Sequence, residues 1–225
     1  MGWPVFLAAQ LVRGFETVNA ADKASVGRPR TFDRERVIET AVESYWRDGI
    51  EGVSLNEICR RAGVSKPGVY REFGGEDGLM DAALEYYAAT VLAPNFERAA
   101  HDRPLRDVLA DMVDVMTDTD RSGPAGCLLA KMQQSPERLG PAVRTRVDAL
   151  RAGARGAYAD LVDQAKQRGE VPTSVSTAVA AVLIDIQCTT LLVLMAHGED
   201  PEMLRAQATL ALAGLTGNGG GAPLR

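Results

Sequence analysis

A chain of 225 residues with 46% hydrophobic side chains can bury a substantial core, as one large domain or two smaller ones. Its formal net charge of −5 excludes a protein that holds nucleic acid through an overall positive charge, so any such contact needs a small basic face. Its three cysteines, Cys59, Cys127 and Cys188, are far apart and odd in number, as expected of reduced cytosolic thiols rather than of a disulfide framework.

Residues 1–26 carry an apolar stretch, but no basic segment precedes it and no convincing cleavage site follows it. These features do not fit a secretory signal peptide. We interpret the segment as a flexible extension from an upstream start codon or as a short helix packed on the next domain. A first clear helix is predicted over residues 33–48, ended by Gly49.

Two short helices joined by a tight turn are predicted over residues 54–73. Ser54 and Ser65 each stand where a hydroxyl can cap a helix, and Glu57 completes a capping-box pattern with Ser54. Gly63 supplies the sharp exit from the first helix. The pattern predicts a helix-turn-helix, whose second helix begins where a DNA-reading helix would begin.

The second helix has two distinct sides. Val69 and Phe73, four residues apart, form its core-facing edge, and Arg71 points away from that edge. The remaining residues of the exposed side and its flank are Lys66, Pro67, Gly68 and Tyr70. A helix that exposes its first turns in this way suits the major groove of DNA, so DNA binding is the leading hypothesis.

Several short segments occur together here, in order and with a family's spacing. They are Gly27-Arg28-Pro29-Arg30, Ala62-Gly63-Val64-Ser65-Lys66, Val69-Tyr70 and Phe73-Gly74 followed by Leu79. With them the chain resembles the TetR family of bacterial transcriptional regulators. The resemblance implies an all-α homodimer, with an N-terminal three-helix DNA-binding domain and a C-terminal helical domain that dimerises and holds a small effector. It also implies two recognition helices in neighbouring major-groove turns of a near-palindromic operator.

The resemblance also implies a DNA-binding face, residue by residue. Ser54 would bind a phosphate, and Arg28 and Arg30 would form an N-terminal arm. The complete set of expected DNA-binding residues is Arg28, Arg30, Ser54, Ser65, Lys66, Pro67, Gly68, Tyr70 and Arg71. The chain departs from the family pattern at Gly68, Glu72 and Glu76. These departures keep open an alternative, a helical small-molecule binding or interaction protein whose degenerate helix-turn-helix no longer binds an operator.

Helical patterns continue to the end of the second domain. We assign residues 27–76 to the DNA-binding domain, 77–216 to the effector-binding and dimerisation domain, and 217–225 to a flexible tail. The first helix of the second domain is predicted from Asp77 to Ala93, ending before Pro94. Further helices are predicted after Pro104 and over 127–134, 141–168, 175–196 and 201–215.

The helix predicted over 175–196 is long and apolar enough to suggest a membrane span. Asp185 and Gln187 interrupt it, however, and no basic residues flank it. A helix that is apolar nearly all round is more simply buried on two sides, against its own domain and against a partner subunit. We therefore predict that it forms an intersubunit four-helix bundle with the helix over 201–215, and no membrane contact.

A small, mainly apolar effector is expected between the central helices. The candidate pocket residues are Met112, Met116, Cys127, Met132, Tyr158, Ile184, Cys188 and Leu191. Methionine side chains suit irregular ligands, although each residue could equally belong to the plain core. Asp185, a carboxylate inside an apolar helix, needs a partner. Pairing with Arg144, Arg146, Arg151 or Arg155 is favoured over a cationic ligand, helix end or water.

The sequence offers no catalytic or cofactor pattern. His101 and His197 each lie beside a predicted turn, without metal-ligand spacing around them. Cys59, inside the helix-turn-helix, is interpreted as a small buried side chain rather than a redox sensor. The resulting hypothesis is a cytoplasmic, homodimeric repressor that a small effector releases from double-stranded DNA, with no enzyme activity, metal or cofactor.

Overall fold

The computed structural model describes residues 32–99, 103–120 and 123–216, and all regular structure in these ranges is helical. The α-helices are α1 (Arg34–Asp48), α2 (Leu55–Ala62), α3 (Lys66–Phe73), α4 (Glu76–Tyr87), α5 (Ala93–Ala99), α6 (Leu105–Thr117), α7 (Leu128–Gln134), α8 (Pro141–Gln167), α9 (Thr177–Ala196) and α10 (Pro201–Ala213). The all-α prediction is confirmed. Arg28, Arg30, His101, the 1–26 segment and the 217–225 tail lie outside the described residues.

The helix-turn-helix forms at the predicted residues. The Ser54 hydroxyl accepts from the N–H of Glu57 to cap α2, and Ser65 accepts from the N–H of Gly68 to cap α3, both at 3.3 Å. Gly63 ends α2 with φ +70°, a left-handed conformation that glycine adopts without strain. The capping box is only half formed, because the Glu57 carboxylate accepts from Arg60 and Arg61 instead of returning to Ser54.

The helix that connects the domains runs further than the sequence predicted. Its predicted end before Pro94 is wrong, because α4 continues through a π-helical turn, Ala88–Leu92, into α5. A proline lacks an N–H and its ring collides with the carbonyl of residue i−4 in a regular α-helix. The wider π turn just before Pro94 changes that register, and the chain remains helical to Ala99.

Two hydrophobic cores divide the molecule, and the division falls inside α8. The first core joins α1–α4 and α7 to the first half of α8, up to Leu150. The second joins α6, α9 and α10 to the second half of α8, from Tyr158 onward. Between these positions lie Gly153 and Gly156, where an added Cβ would meet no atom within 4 Å. Packing therefore does not require glycine at either position.

Polar contacts join α4 to the start of α8. The Asp77 carboxylate of α4 accepts from the N–H groups of Ala142 and Val143, at 3.0 and 3.3 Å, in the first turn of α8. One turn further along each helix, Arg146 donates twice to Asp81. The start of α8 therefore moves with α4.

Helices α9 and α10 carry an apolar face that no other described part of the chain covers. Its most exposed large side chains are Val179, Val182 and Ile186 on α9 and Met203 and Leu210 on α10. Within the described ranges, α9 is the one helix whose length and composition alone would allow it to cross a membrane. Its charged residue, Asp185, faces the protein and pairs with Arg155 of α8 at 2.7 Å, which confirms the predicted arginine partner.

Candidate functional site

The first turns of α3 form an exposed surface, as the sequence predicted. Lys66, Pro67 and Arg71 are exposed, and the Tyr70 side chain is 52% exposed. Val69 is fully buried on the opposite side and holds α3 against the domain core. This arrangement presents a cation, an aromatic ring and a guanidinium on one short helix, which suits contact with phosphates and base edges.

Gly68, expected on the exposed side of α3, is instead buried. Gly68 is buried beneath Phe32, and a Cβ at this position would lie 3.0 Å from the Phe32 ring. The same ring packs 6.2 Å, centroid to centroid, from that of Phe73, over which the guanidinium of Arg34 lies. Gly68 therefore lacks a side chain for a structural reason, because the Phe32 ring lies directly above it.

The two serines of the expected DNA-binding face have their hydroxyl groups engaged in helix caps, although both residues remain exposed. In α2, hydrogen bonds from Arg60 and then Arg61 lower the pKa of Glu57 to about 2. Arg61 also pairs with Asp48. The basic side chains of α2 are therefore largely paired within the domain, whereas Lys66 of α3 has no ion pair with any described residue.

Both acidic departures from the family pattern, Glu72 and Glu76, have partners within the protein. Glu72 pairs with Arg71 at 3.0 Å, where both side chains are accessible to solvent. The Glu76 carboxylate points toward the second domain, and its Oε1 lies 3.7 Å from the guanidinium of Arg138. Glu76 therefore belongs to the junction between the domains, whereas Glu72 reduces the charge that Arg71 presents.

A cavity of about 160 Å³ lies between the two cores. Of the eight predicted pocket residues, the structure brings five to its wall: Met112, Met116, Cys127, Tyr158 and Cys188. The other three do not line it. Met132 is completely buried in the first core, and Ile184 and Leu191 are buried in the second. The apolar pattern predicted the helices that carry these three residues, but not which buried side of each helix faces the cavity.

The connecting helix, which runs from α4 through the π turn into α5, supplies cavity residues that the sequence did not predict. Val91 and Leu92 of the π turn, with Asn95 and Phe96 of α5, form one wall. Val91 and Leu92 lie within the predicted helix, whereas Asn95 and Phe96 lie beyond its predicted end before Pro94. Arg151 of α8 and Gln133 of α7 also line the cavity. An amphipathic pattern that continued past Pro94 was the signal that could have revealed part of this wall.

The Cys188 thiol in the cavity wall is not a reactive centre. Burial raises the pKa of Cys188 to about 12, although the neighbouring Tyr158 hydroxyl acts in the opposite direction. Burial is also the main cause that raises the pKa of Tyr158 well above its ordinary value. Both groups are therefore protonated at neutral pH. Cys59 is buried too, which confirms the interpretation of this residue as a small core side chain.

The described part of the chain is thus a helix-turn-helix protein with a cavity-bearing helical domain. Residues 37–83 match the family described as bacterial regulatory proteins, tetR family, and residues 100–210 match the tetracyclin repressor-like C-terminal domain. The chain belongs to the TetR family. The two matches together span both halves of the structure.

Curated relatives and solved structures agree with this assignment. The chain is 30% identical over 110 residues to the HTH-type transcriptional repressor ComR of Escherichia coli K12, covering 48% of this chain and 52% of that protein. It is 32% identical over 108 residues to BdcR, a repressor of the same organism, covering 46% and 53% respectively. The chain therefore spans about half the length of these relatives.

Two solved structures share the fold. The regulator CifR, complexed with operator DNA, has a TM-score of 0.72 at 23% identity and covers 84% of this chain and 100% of its own. A TetR regulator from Chloroflexus aurantiacus has a TM-score of 0.67 at 26% identity, covering 80% and 92%.

Proposed function

We propose that this protein is a sequence-specific, DNA-binding transcriptional repressor of the bacterial cytoplasm, which a small effector releases from a near-palindromic operator. The observation that carries the proposal is the exposed first half of α3, with Lys66, Tyr70 and Arg71 on a helix fixed by Val69 and the Ser65 cap. The relatives ComR and BdcR, named as repressors, support the same direction of regulation.

A homodimer through α9 and α10 would complete the DNA-binding unit. The apolar face of these helices is large enough in a single chain to favour burial against a second copy, because exposed Val179, Ile186 and Leu210 lose contact with water on association. Two copies would place two α3 helices on one side of the duplex. Binding to adjacent major-groove turns requires a spacing of about 34 Å between them.

The proposed release mechanism uses the boundary between the two cores. A ligand in the cavity would contact the connecting helix on one side and Tyr158, in the second core, on the other. The π turn and the two glycines of α8 are the weakest helical segments at this boundary. A change in the angle between the two cores at this boundary would move α4, the start of α8 and the DNA-binding domain together. The reason is that Asp77 and Asp81 of α4 bind the first turns of α8.

Fluorescence anisotropy with DNA flanking the protein's own gene tests the proposal. Tight binding that survives excess unrelated duplex, with two protomers per site, is the expected result. A genome-wide selection would follow if those fragments failed. If no sequence were preferred over any other, the proposal would be refuted in favour of a ligand-binding protein with a degenerate helix-turn-helix.

Lys66→Ala is expected to weaken binding to every DNA sequence alike. Each lost contact between a lysine and a phosphate lowers the slope of log affinity against log salt by about 0.9, so a dimer should lose about 2 in slope. Anisotropy titrations at several salt concentrations measure it. Arg106→Ala is the matched control, since Arg106 is exposed on α6 and pairs only with its neighbour Asp107 among the described residues. An unchanged slope would show that Lys66 does not contact a DNA phosphate.

Gly156→Ala is expected to raise the free energy of unfolding by about 1 kcal/mol, because alanine favours a helix interior and the site has room for a Cβ. It should also slow amide hydrogen exchange across residues 150–158, where the two cores meet. Gly214→Ala, another glycine with open space around its Cβ, is the control and should leave that exchange unchanged. Unaltered exchange in Gly156→Ala would contradict a weak point at this position.

A further inference from the structure

We propose that the effector is a small organic carboxylate with an apolar body about the size of one ring, held by Arg151. The inference rests on the proposed function of the cavity as an effector site, and it adds the chemical class of the ligand. It follows from the size of the cavity, its apolar walls and the one cation on its wall that has no partner among the described residues.

The size of the cavity limits the apolar body. Its volume of about 160 Å³ is close to that of an engineered apolar cavity of about 150 Å³ that binds benzene. Val91, Leu92 and Phe96 form one wall, and Met112 and Met116 of α6 form another. These side chains offer no hydrogen bonds to a ligand apart from weak ones to sulfur, so they suit a hydrocarbon ring or a short alkyl chain.

Among the charged residues of the cavity wall, one guanidinium has no partner among the described residues. Arg103 pairs with Asp111, and Asp185 pairs with Arg155. Arg98 donates to the side-chain oxygen of Asn95 at 3.0 Å. Arg151 alone among these cations has neither an ion pair nor a hydrogen bond to any described residue, although it is half-buried.

A carboxylate satisfies this guanidinium better than a neutral or a cationic ligand. Arginine presents a planar fork of donors that fits both oxygens of a carboxylate at once. The side-chain amide of Gln133, which also lines the cavity without a partner among the described residues, offers a further donor. A neutral ligand would leave the half-buried Arg151 without an ionic partner, and a cation would find Asp185 already neutralised by Arg155.

Isothermal titration calorimetry of the full chain tests the class directly. Benzoate and hexanoate are the probes, and benzamide and hexanamide are their neutral counterparts of matched shape. Each carboxylate is expected to bind at least about tenfold more tightly than its amide, since charge-assisted hydrogen bonds to arginine are about twice as strong as neutral ones. In Arg151→Gln this preference should disappear. Arg144→Gln is the control, because Arg144 lies on the same helix but outside the cavity and donates to the Pro136 carbonyl.

Three results would overturn the proposal. The amides could bind as tightly as the carboxylates, Arg151→Gln could keep the preference, or none of the four probes could bind. Fluorescence anisotropy of Arg151→Gln with DNA, measured without a probe, distinguishes failure of this ligand class from failure of the proposed function. If DNA binding is intact, the repressor assignment stands without this ligand class. If carboxylates bind and no DNA does, the ligand class stands and the repressor assignment falls.

Discussion

Trp46→Ala is expected to lower the free energy of unfolding by about 3–5 kcal/mol, the usual range for removing a large buried aromatic side chain. The Trp46 ring is 9% exposed and meets the edge of Tyr87 with 5.0 Å between centroids. Its Nε1 donates to the carbonyl of Gly126 at 3.2 Å. The loss of the ring would leave a void at the end of α1 and an unpaired buried carbonyl beside it.

The same substitution should also affect the response to ligand. Tyr87 and Gly126, which both contact the Trp46 ring, line the cavity. Trp46 is therefore one contact away from a bound ligand, while its own helix belongs to the DNA-binding domain. Urea denaturation measures the stability, and DNA anisotropy with and without a bound probe measures the response.

Trp46→Phe is the matched variant for that experiment. It keeps an aromatic ring against Tyr87 but removes the indole N–H, so it isolates the hydrogen bond to Gly126. We expect its loss of stability to be clearly smaller than that of Trp46→Ala. If the alanine variant lost less than about 1 kcal/mol, the packing described for Trp46 would be incorrect.

A double-mutant cycle on Asp77 and Gly140 should show a reversal of sign. Alone, Asp77→Ala is expected to lower the free energy of unfolding by about 1–2 kcal/mol, because it removes the side chain that caps α8. Gly140→Ala should be destabilising by a similar amount, because the added Cβ would overlap the Asp77 carboxyl group and displace it from the helix end.

In the Asp77→Ala background, Gly140→Ala should become neutral or stabilising by up to about 1 kcal/mol. The overlap is then gone, and the backbone at Gly140, with φ −75°, suits alanine and is more restricted in the unfolded chain. Urea denaturation of the four proteins gives the coupling energy. Simple addition of the two single effects would show that Asp77 does not cap α8 in solution.

The sequence predicted most of the helices because their signals are local. Ser54 and Ser65 cap helices through residues three positions away, and Gly63 needs only its own φ angle to end α2. The start of α8 at Pro141 also follows from a short-range rule. Such features depend on neighbouring residues, so one sequence is sufficient to find them.

The features that were missed depend on contacts between distant segments. The Phe32 side chain, just before α1, covers Gly68, and no spacing rule connects these two positions. Met132, Ile184 and Leu191 fit apolar helical patterns, yet a pattern does not distinguish a filled core from a cavity wall. The passage of the connecting helix through Pro94 required a π turn, which has no simple sequence signal.

The ring of Phe32 above Gly68 also limits how this protein can be retargeted by directed evolution. A library that randomises position 68 alone would be dominated by variants in which the new side chain collides with Phe32. Access to that position requires a simultaneous change at residue 32, so the two sites should show strong epistasis. Positions 67, 70 and 71, which carry no such constraint, are the productive ones to diversify when a new operator is sought.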